Sequence, residues 1–134
     1  MTSEVNYQGQ LRTICQHLKS GNKIVTDAPT DNNGNGQAFS PTDLVATALA
    51  SCMLTIMGIK ANQHQLDIIG TKASVTKVMA SNPRRISKVI VEVVMPSNFD
   101  EATKKILENA ARTCPVALSL NVDIMQEITF TYPQ

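Results

Sequence analysis

The segment Ser40-Pro41-Thr42-Asp43, followed by the run LVATALASCMLTIMGI at residues 44–59, decides the fold of this chain. Ser40 is predicted to be a helix N-cap and Pro41 the first helical residue. Asp43 is predicted to reach back to the cap amide. The run that follows is apolar almost all round the helix rather than along one stripe. That pattern is typical of a helix that is buried on most of its surface.

Cys52 lies inside this apolar run. A lone thiol in apolar surroundings behaves as a small buried hydrophobe, so inert packing is one interpretation of this residue. The run is interrupted by Thr, Ser and Gly, and it is shorter than the roughly 18 apolar residues that a membrane-spanning helix needs. We therefore expect a core helix and no membrane segment.

The composition limits the classes of protein to which the chain can belong. Its 134 residues suit a single domain at 1–134, and 43% hydrophobic residues with only 4% aromatic predict an aliphatic, Met-rich core. The net charge of +1 is dispersed, so neither nucleic acid nor an anionic membrane is an expected partner. The N-terminal residues lack the apolar stretch of a signal peptide, which favours a cytoplasmic protein. In that reducing compartment, three Cys are expected to be free, catalytic or redox-active.

The remaining chain alternates between extended and helical patterns. Alternation of apolar and polar residues, with many β-branched side chains, predicts strands at residues 4–18 (a hairpin), 23–26, 68–79, 86–95 and 122–132. Residues 27–37 contain Pro and two Asn-Gly pairs and are predicted to form a loop. Ser97 is predicted to cap a second helix, whose apolar stripe runs from Phe99 to Ala111.

Cys114 and Pro115 are predicted to begin a third, short helix. Pro at the first helical position places Cys114 at the N-cap, where unpaired amides and the helix dipole stabilise a thiolate. The alternative, that this Cys merely occupies a cap, stays open. Neither Cys52 nor Cys114 has a partner at metal-ligand spacing, so no metal site is expected. Cys15 lies on a mixed strand face and is assigned to packing.

With these motifs in order, the chain resembles the osmotically inducible protein C and organic hydroperoxide resistance (OsmC/Ohr) family over nearly its full length. The resemblance rests on two segments: Ser-Pro-Thr-Asp-Leu at residues 40–44 leading to Ala-Ser-Cys at 50–52, and Cys-Pro-Val-Ala-Leu-Ser-Leu at 114–120. The distance from Pro41 to Cys52, together with the Cys-Pro-Val start of the second segment, makes the match fairly specific. The chain looks like a divergent branch of that family.

The resemblance implies catalytic roles for Cys52, Cys114 and Arg12. Cys52 would be the peroxidatic thiol and Cys114 the thiol that resolves it, whereas the helix-dipole argument alone favours Cys114 as the nucleophile. Arg12 is the nearest candidate for the arginine that activates the thiol, and an ordinary solvated strand residue is the alternative. In the family a Glu holds that arginine, but Thr42 stands at its position here. We therefore expect the Arg12 guanidinium to lack a carboxylate and to move freely.

The resemblance further implies an α+β fold in which antiparallel β-sheets wrap two central helices in an intertwined homodimer. It implies a cysteine-dependent peroxidase that reduces organic hydroperoxides and is restored by a dithiol reductant, which in the family is a lipoylated protein. No cofactor is expected, because sulfur carries the oxidation. One alternative is a non-catalytic dimeric protein that senses redox state or binds a small ligand. Another is a structural protein with two inert thiols.

Overall fold

The computed structural model describes all 134 residues and divides into two compact units, Met1–Val45 and Ala46–Gln134. Six strands and three α-helices confirm the expected α+β class. In chain order the elements are β1 (Ser3–Gly9), β2 (Arg12–His17), β3 (Lys23–Asp27), α1 (Pro41–Gln63), β4 (Lys72–Ala80), β5 (Arg85–Val94), α2 (Glu101–Arg112), α3 (Pro115–Ser119) and β6 (Met125–Thr131).

The first unit contains an antiparallel sheet in the order β1-β2-β3. The β2–β3 hairpin pairs Arg12 with Asp27 and Thr13 with Thr26. Asp27 is therefore the last residue of a strand and not the first residue of a loop, as we had expected. The segment that follows folds back on this strand end: Gly34 lies so close to Ala28 that a Cβ would approach the carbonyl oxygen to 1.7 Å.

The start of α1 confirms the predicted capping box. The Ser40 hydroxyl accepts a hydrogen bond from the Asp43 amide at 3.1 Å, and the Asp43 carboxylate accepts one from the Ser40 amide at 2.9 Å. These two bonds satisfy amides that have no partner inside the helix, so they fix where α1 begins. The helix then runs without interruption to Gln63.

The burial of α1 differs from the prediction. One stripe is buried, at Ala46, Leu49, Ala50, Met53, Met57 and Ala61. On other faces Val45 and Ile59 are 38% and 49% exposed. A spacing of three and four residues places the buried set on one side of the helix, so burial on all sides is wrong for a single chain.

The length of α1 also corrects an expectation. It has 23 residues and a mean hydropathy of 1.8 over 18 of them, so by length and composition it could cross a membrane. The expectation that the apolar run is too short is therefore wrong. The core helix of a soluble protein meets the same two criteria, and α1 packs its buried stripe into a core.

The second unit contains the sheet β4-β5-β6. Strands β4 and β5 are antiparallel, but β5 and β6 are parallel, which corrects the expectation of antiparallel sheets throughout. The reason is the connection: α2 and α3 form a crossover between β5 and β6, and only a crossover lets consecutive strands of a sheet run in the same direction. Alternate residues of β5, Val89, Val91 and Val93, point into the core.

Three boundaries in this unit differ from the prediction. Strand β4 begins at Lys72 and not at residue 68. Asp100 rather than Ser97 caps α2, because its carboxylate accepts a hydrogen bond from the Thr103 amide at 2.8 Å. The last strand begins at Met125, and Val122 precedes it with 96% of its surface exposed. In all three cases the side-chain pattern of the sequence placed the start of the element earlier than the backbone hydrogen bonds do.

Candidate active site

Cys52 lies on α1 at the border between its buried stripe and its exposed face. It is half-buried and packs against the core cluster, while Ser51 beside it is exposed and Met53 is fully buried. The middle of a long helix holds the backbone of this residue in one place, because the amides and carbonyls around it are bonded within the helix. Cys52 therefore offers a thiol at a fixed position that is partly open.

Cys114 is fully buried and is the N-cap of α3, with Pro115 at the start of the helix as predicted. Its Sγ accepts a hydrogen bond from the Ala117 amide at 3.4 Å. This is the capping bond that a Ser or Asp usually makes, made here by sulfur. The local sequence thus places a second thiol at a defined point of the same unit.

The structure places the Cys52 side chain close enough to Cys114 to affect the pKa of the Cys114 thiol. Burial raises the pKa of the Cys114 thiol, and the neighbouring Cys52 side chain raises it further, against the lowering effect of the Ala117 and Val116 amides. The helix-dipole expectation for Cys114 is therefore wrong, because desolvation outweighs the terminus of a five-residue helix. Cys114 is held as the neutral thiol, and all three Cys are free.

Arg12 begins β2 in the first unit and holds a carboxylate there. Its Nε donates to Asp27 Oδ1 at 2.8 Å and its Nη2 to Asp27 Oδ2 at 2.9 Å. Nη2 also donates to Gln37 Oε1 at 3.2 Å. The expectation that Arg12 lacks a carboxylate and moves freely is wrong: two parallel bonds to one carboxylate fix the plane of the guanidinium.

Asp27 is the residue at this cluster that the sequence analysis missed. The hydrogen bonds from Arg12 lower the pKa of its carboxyl; burial opposes this effect, and the Gln37 amide adds to it at 3.0 Å. The observed hairpin register pairs Gln16 with Lys23, and the same antiparallel register places Arg12 directly opposite Asp27. Finding this pair from the sequence requires the exact position of the turn, which local composition does not give.

The structure contains few other side chains that could react or bind a metal. Cys15 is half-buried on β2, and its sulfur lies 3.8 Å from the Thr13 hydroxyl. No group of three or more His, Cys, Asp or Glu side chains is arranged to hold a metal ion. The second unit therefore contains a pair of thiols, and the first unit contains an ordered Arg12–Asp27 pair.

Comparison with known proteins adds to this geometry. The family model for OsmC-like protein matches residues 34–127. A crystal structure from Psychrobacter arcticus, of a protein provisionally described as an osmotic stress induced and detoxification response protein, is 56% identical. The match covers 98% of this chain and 96% of that one, with a TM-score of 0.95. A search of curated proteins found no match.

More distant structures share the fold. An organic hydroperoxide resistance protein OsmC from Legionella pneumophila is 14% identical with a TM-score of 0.77, over 98% of this chain and 97% of that one. An OsmC like protein from Mycoplasma pneumoniae is 16% identical with a TM-score of 0.82, over 98% and 96%. Since the family model spans most of the chain and a relative above half identity aligns along nearly all of it, the chain belongs to the OsmC-like protein family.

Proposed function

We propose that this protein is a thiol peroxidase that reduces organic hydroperoxides through Cys52 and Cys114. The observation that carries the proposal is the thiol pair itself: one sulfur is half-exposed on a rigid helix, and its neighbour is buried with a raised pKa. The attacking thiol must ionise and be accessible to the substrate, whereas the resolving thiol must stay unreacted until the first step is complete. Cys52 suits the first role and Cys114 the second.

The proposed chemistry has two steps. The Cys52 thiolate attacks one peroxide oxygen, the O–O bond breaks, and the alkoxide takes a proton to leave as an alcohol. Cys52 is thereby oxidised by two electrons to a sulfenic acid. The Cys114 sulfur then attacks the Cys52 sulfur, releasing water and closing a disulfide. Cys114 loses its thiol proton in this step, and that proton leaves with the hydroxide of the sulfenic acid.

A dithiol reductant restores the pair by thiol–disulfide exchange and leaves as its own disulfide. We propose a lipoylated protein as this partner and no cofactor, since sulfur carries both electrons. Members of the family are soluble proteins, and we place this one in the cytoplasm, where free thiols are kept reduced. We infer one domain over residues 1–134, because the Psychrobacter relative aligns over 98% of this chain.

We propose that Arg12 supports the thiolate of Cys52. A guanidinium close to a thiol favours the charged form and typically lowers the thiol pKa by about 1–3 units. Arg12 suits this task because two bonds to Asp27 order it while 39% of its side chain stays exposed. The guanidinium is therefore held in one orientation, and part of it remains accessible.

Apolar surroundings favour an organic peroxide over hydrogen peroxide. The exposed face of α1 beside Cys52 carries Val45 and Ile59. In the first unit an open, mainly apolar groove of about 610 Å³ has Ile24 and Phe39 among its lining residues, together with Gln37, the partner of Arg12. Contact of a hydrocarbon tail with such surfaces lowers the free energy of binding by removing apolar surface from water, and hydrogen peroxide has no such tail. Related proteins from Legionella pneumophila and Elizabethkingia anophelis are described as organic hydroperoxide resistance proteins.

We propose that the working form is an intertwined homodimer with sites built from both chains. One chain leaves much of the α1 face around Cys52 uncovered, and the sheet β1-β2-β3 exposes apolar side chains such as Val5 at 60% and Tyr7 at 66%. Apolar surface of this extent on a small protein is typical of an interaction site. A second copy covering both surfaces would bury more than about 2,000 Å² in total.

The test is consumption of cumene hydroperoxide with dihydrolipoamide as the reductant. Wild type and the control Cys15→Ser are expected to turn over repeatedly. Cys52→Ser is expected to lose at least about 10²-fold in rate, because no other thiol forms the sulfenic acid. Cys114→Ser is expected to form the Cys52 sulfenic acid once, after which hydroperoxide consumption is slower than in wild type or stops. Equal turnover in Cys52→Ser and wild type would refute the proposal.

A second candidate, a non-catalytic dimer that senses redox state or binds a small ligand, is favoured by one observation. Residue 42 is Thr, which is uncharged, whereas the resemblance to the family implies a Glu at this position in its peroxidases. If wild type consumes no hydroperoxide beyond one equivalent while Cys52 and Cys114 still become linked, sensing replaces turnover as the function.

A further inference from the structure

Helix α3 is too short to be stable by itself. It has five residues, and Leu118 on its outer side is 72% exposed. Isolated helices below about 12–15 residues are marginal in water, so contacts with the rest of the second unit must order α3. Those contacts matter for the thiol pair, because Cys114 is the residue from which α3 begins.

Gln126 on β6 provides one such contact. It is half-buried and pairs with Val89 of β5, which is fully buried, and Ile128 two residues along the same strand face is also buried. A polar side chain therefore lies on the core-facing side of the sheet. Its Nε2 donates a hydrogen bond to the Ala117 carbonyl at 2.9 Å. Ala117 is one of the last four residues of α3, whose carbonyls have no partner within a helix, so this bond satisfies a group that the helix leaves unpaired.

Ala117 connects Gln126 to the buried thiol. The residue whose carbonyl accepts the Gln126 bond also donates its amide to Cys114 Sγ at 3.4 Å. Ala117 is 8% exposed and Cys114 is fully buried. Two hydrogen bonds through one residue thus join the β6 side chain to the sulfur. Gln126, Ala117, Cys114 and Cys52 all belong to the second unit.

We propose that Gln126 is a positioning residue for the resolving thiol: it holds α3 on β6, so that Cys114 is ordered beside Cys52 before a disulfide forms. This inference rests on the proposed function in one respect, which is that Cys52 and Cys114 are the reacting pair. Gln126 acts only through Ala117 and takes no part in the chemistry. Groups that are held in place react as if they were highly concentrated, and Gln126 contributes to that order.

Loss of the Gln126 bond is expected to act on the reduced protein more than on the oxidised one. Without the bond, α3 in the reduced protein is less ordered, and closing the disulfide must then order it. The equilibrium constant for disulfide formation is expected to fall about three- to tenfold, which corresponds to the loss of one hydrogen bond of ordinary strength. A role in folding alone predicts a lower melting temperature and an unchanged equilibrium constant.

The experiment equilibrates the protein with mixtures of reduced and oxidised dithiothreitol at neutral pH. Oxidised dithiothreitol gains two electrons and two protons, and Cys52 and Cys114 lose them as their S–S bond forms. Alkylation and peptide mass spectrometry then give the fraction of the Cys52–Cys114 disulfide. Gln126→Met has a similar length but no N–H donor, and Gln126→Asn keeps the amide on an arm one methylene shorter. Both are expected to show the fall in the equilibrium constant.

Ser87→Ala is the matched control. The Ser87 hydroxyl donates to the Val78 carbonyl at 3.1 Å, which is also a side-chain bond to a carbonyl nine residues away, but it joins β5 to β4 and does not involve α3. The equilibrium constant of this variant is expected to equal that of wild type. Thermal unfolding of each reduced variant checks that the fold is retained. If Gln126→Met does not fold, Gln126→Asn, the more conservative change, decides the matter.

A single turnover separates positioning of Cys114 from a general loss of structure. Each protein receives one equivalent of cumene hydroperoxide in the presence of dimedone, which traps a sulfenic acid. Gln126→Met is expected to carry more dimedone on Cys52 than wild type, because Cys114 reaches the sulfenic acid more slowly. The rate of hydroperoxide loss in that turnover is expected to stay unchanged, because the first step does not use Cys114.

The outcomes distinguish this inference from the proposed function. A fall in the equilibrium constant for the Gln126 variants but not for Ser87→Ala supports the positioning role, even if wild type consumes no hydroperoxide. An unchanged constant in the Gln126 variants, or an equal fall in Ser87→Ala, overturns it and leaves the peroxidase proposal to its own assay. If wild type forms no Cys52–Cys114 disulfide in any mixture, the thiol pair is refuted and both proposals fail.

Discussion

Different forces stabilise the two units of this protein. Every buried apolar residue lies at or after Ala46, in the second unit. The three buried residues of the first unit, Thr26, Asp27 and Ser40, are all polar. The second unit therefore folds around a hydrophobic core, whereas the order of the first unit comes from hydrogen bonds at the strand ends and at the helix cap.

This difference predicts what each unit needs from its surroundings. A three-stranded sheet with no buried apolar face is marginal in water, because burial supplies most of the free energy of folding. The sheet β1-β2-β3 has apolar side chains but leaves them exposed. A unit of this kind is stable when another surface covers it, and we propose that a second copy of the chain does so.

The largest effect is expected in the core of the second unit. Leu107 on α2 is fully buried, so Leu107→Ala is expected to lower the free energy of unfolding by about 2–5 kcal/mol through lost burial and a cavity. Ile106→Ala on the same helix is the matched control, since 36% of Ile106 is exposed. Ile106→Ala is expected to lower the free energy of unfolding by clearly less than Leu107→Ala. Urea denaturation measures both, and equal losses would contradict the position of the core.

A smaller effect, on dimer formation, is expected from a substitution on the exposed sheet of the first unit. Wild type is predicted to sediment as a dimer at micromolar concentration. Val5→Lys places a charge on the exposed apolar sheet and is expected to raise the dissociation constant of the dimer about tenfold or more, corresponding to about 1.4 kcal/mol. Asn109→Lys adds the same charge at an exposed polar position of α2 and is expected to leave it unchanged. A stable, folded wild-type monomer would remove the argument for a covered sheet.

The sequence predicted the parts of the structure that local rules determine. The Ser40–Asp43 capping box and the Cys114–Pro115 helix start follow from residues within four positions of each other, and both are confirmed. The resemblance named both thiols, and the structure places Cys52 and Cys114 together.

The remainder depends on contacts between distant residues. The parallel pairing of β5 with β6 depends on where a crossover returns, and a strand's own alternation is the same for either direction. The pairing of Asp27 with Arg12 depends on hairpin register across 15 residues. The raised pKa of Cys114 depends on burial, which the helix start alone does not reveal. Short-range patterns contain none of these three facts.

The central claim, that Cys52 attacks peroxide and Cys114 resolves it, is tested most directly by mapping one disulfide. The reduced protein is treated with one equivalent of cumene hydroperoxide, alkylated, digested and analysed by mass spectrometry. We predict a bond between Cys52 and Cys114, with Cys15 alkylated as a free thiol. Such a bond needs Cα atoms within roughly 7 Å of each other. A main product in which Cys15 forms the disulfide, or in which Cys52 and Cys114 both stay reduced, would contradict the account.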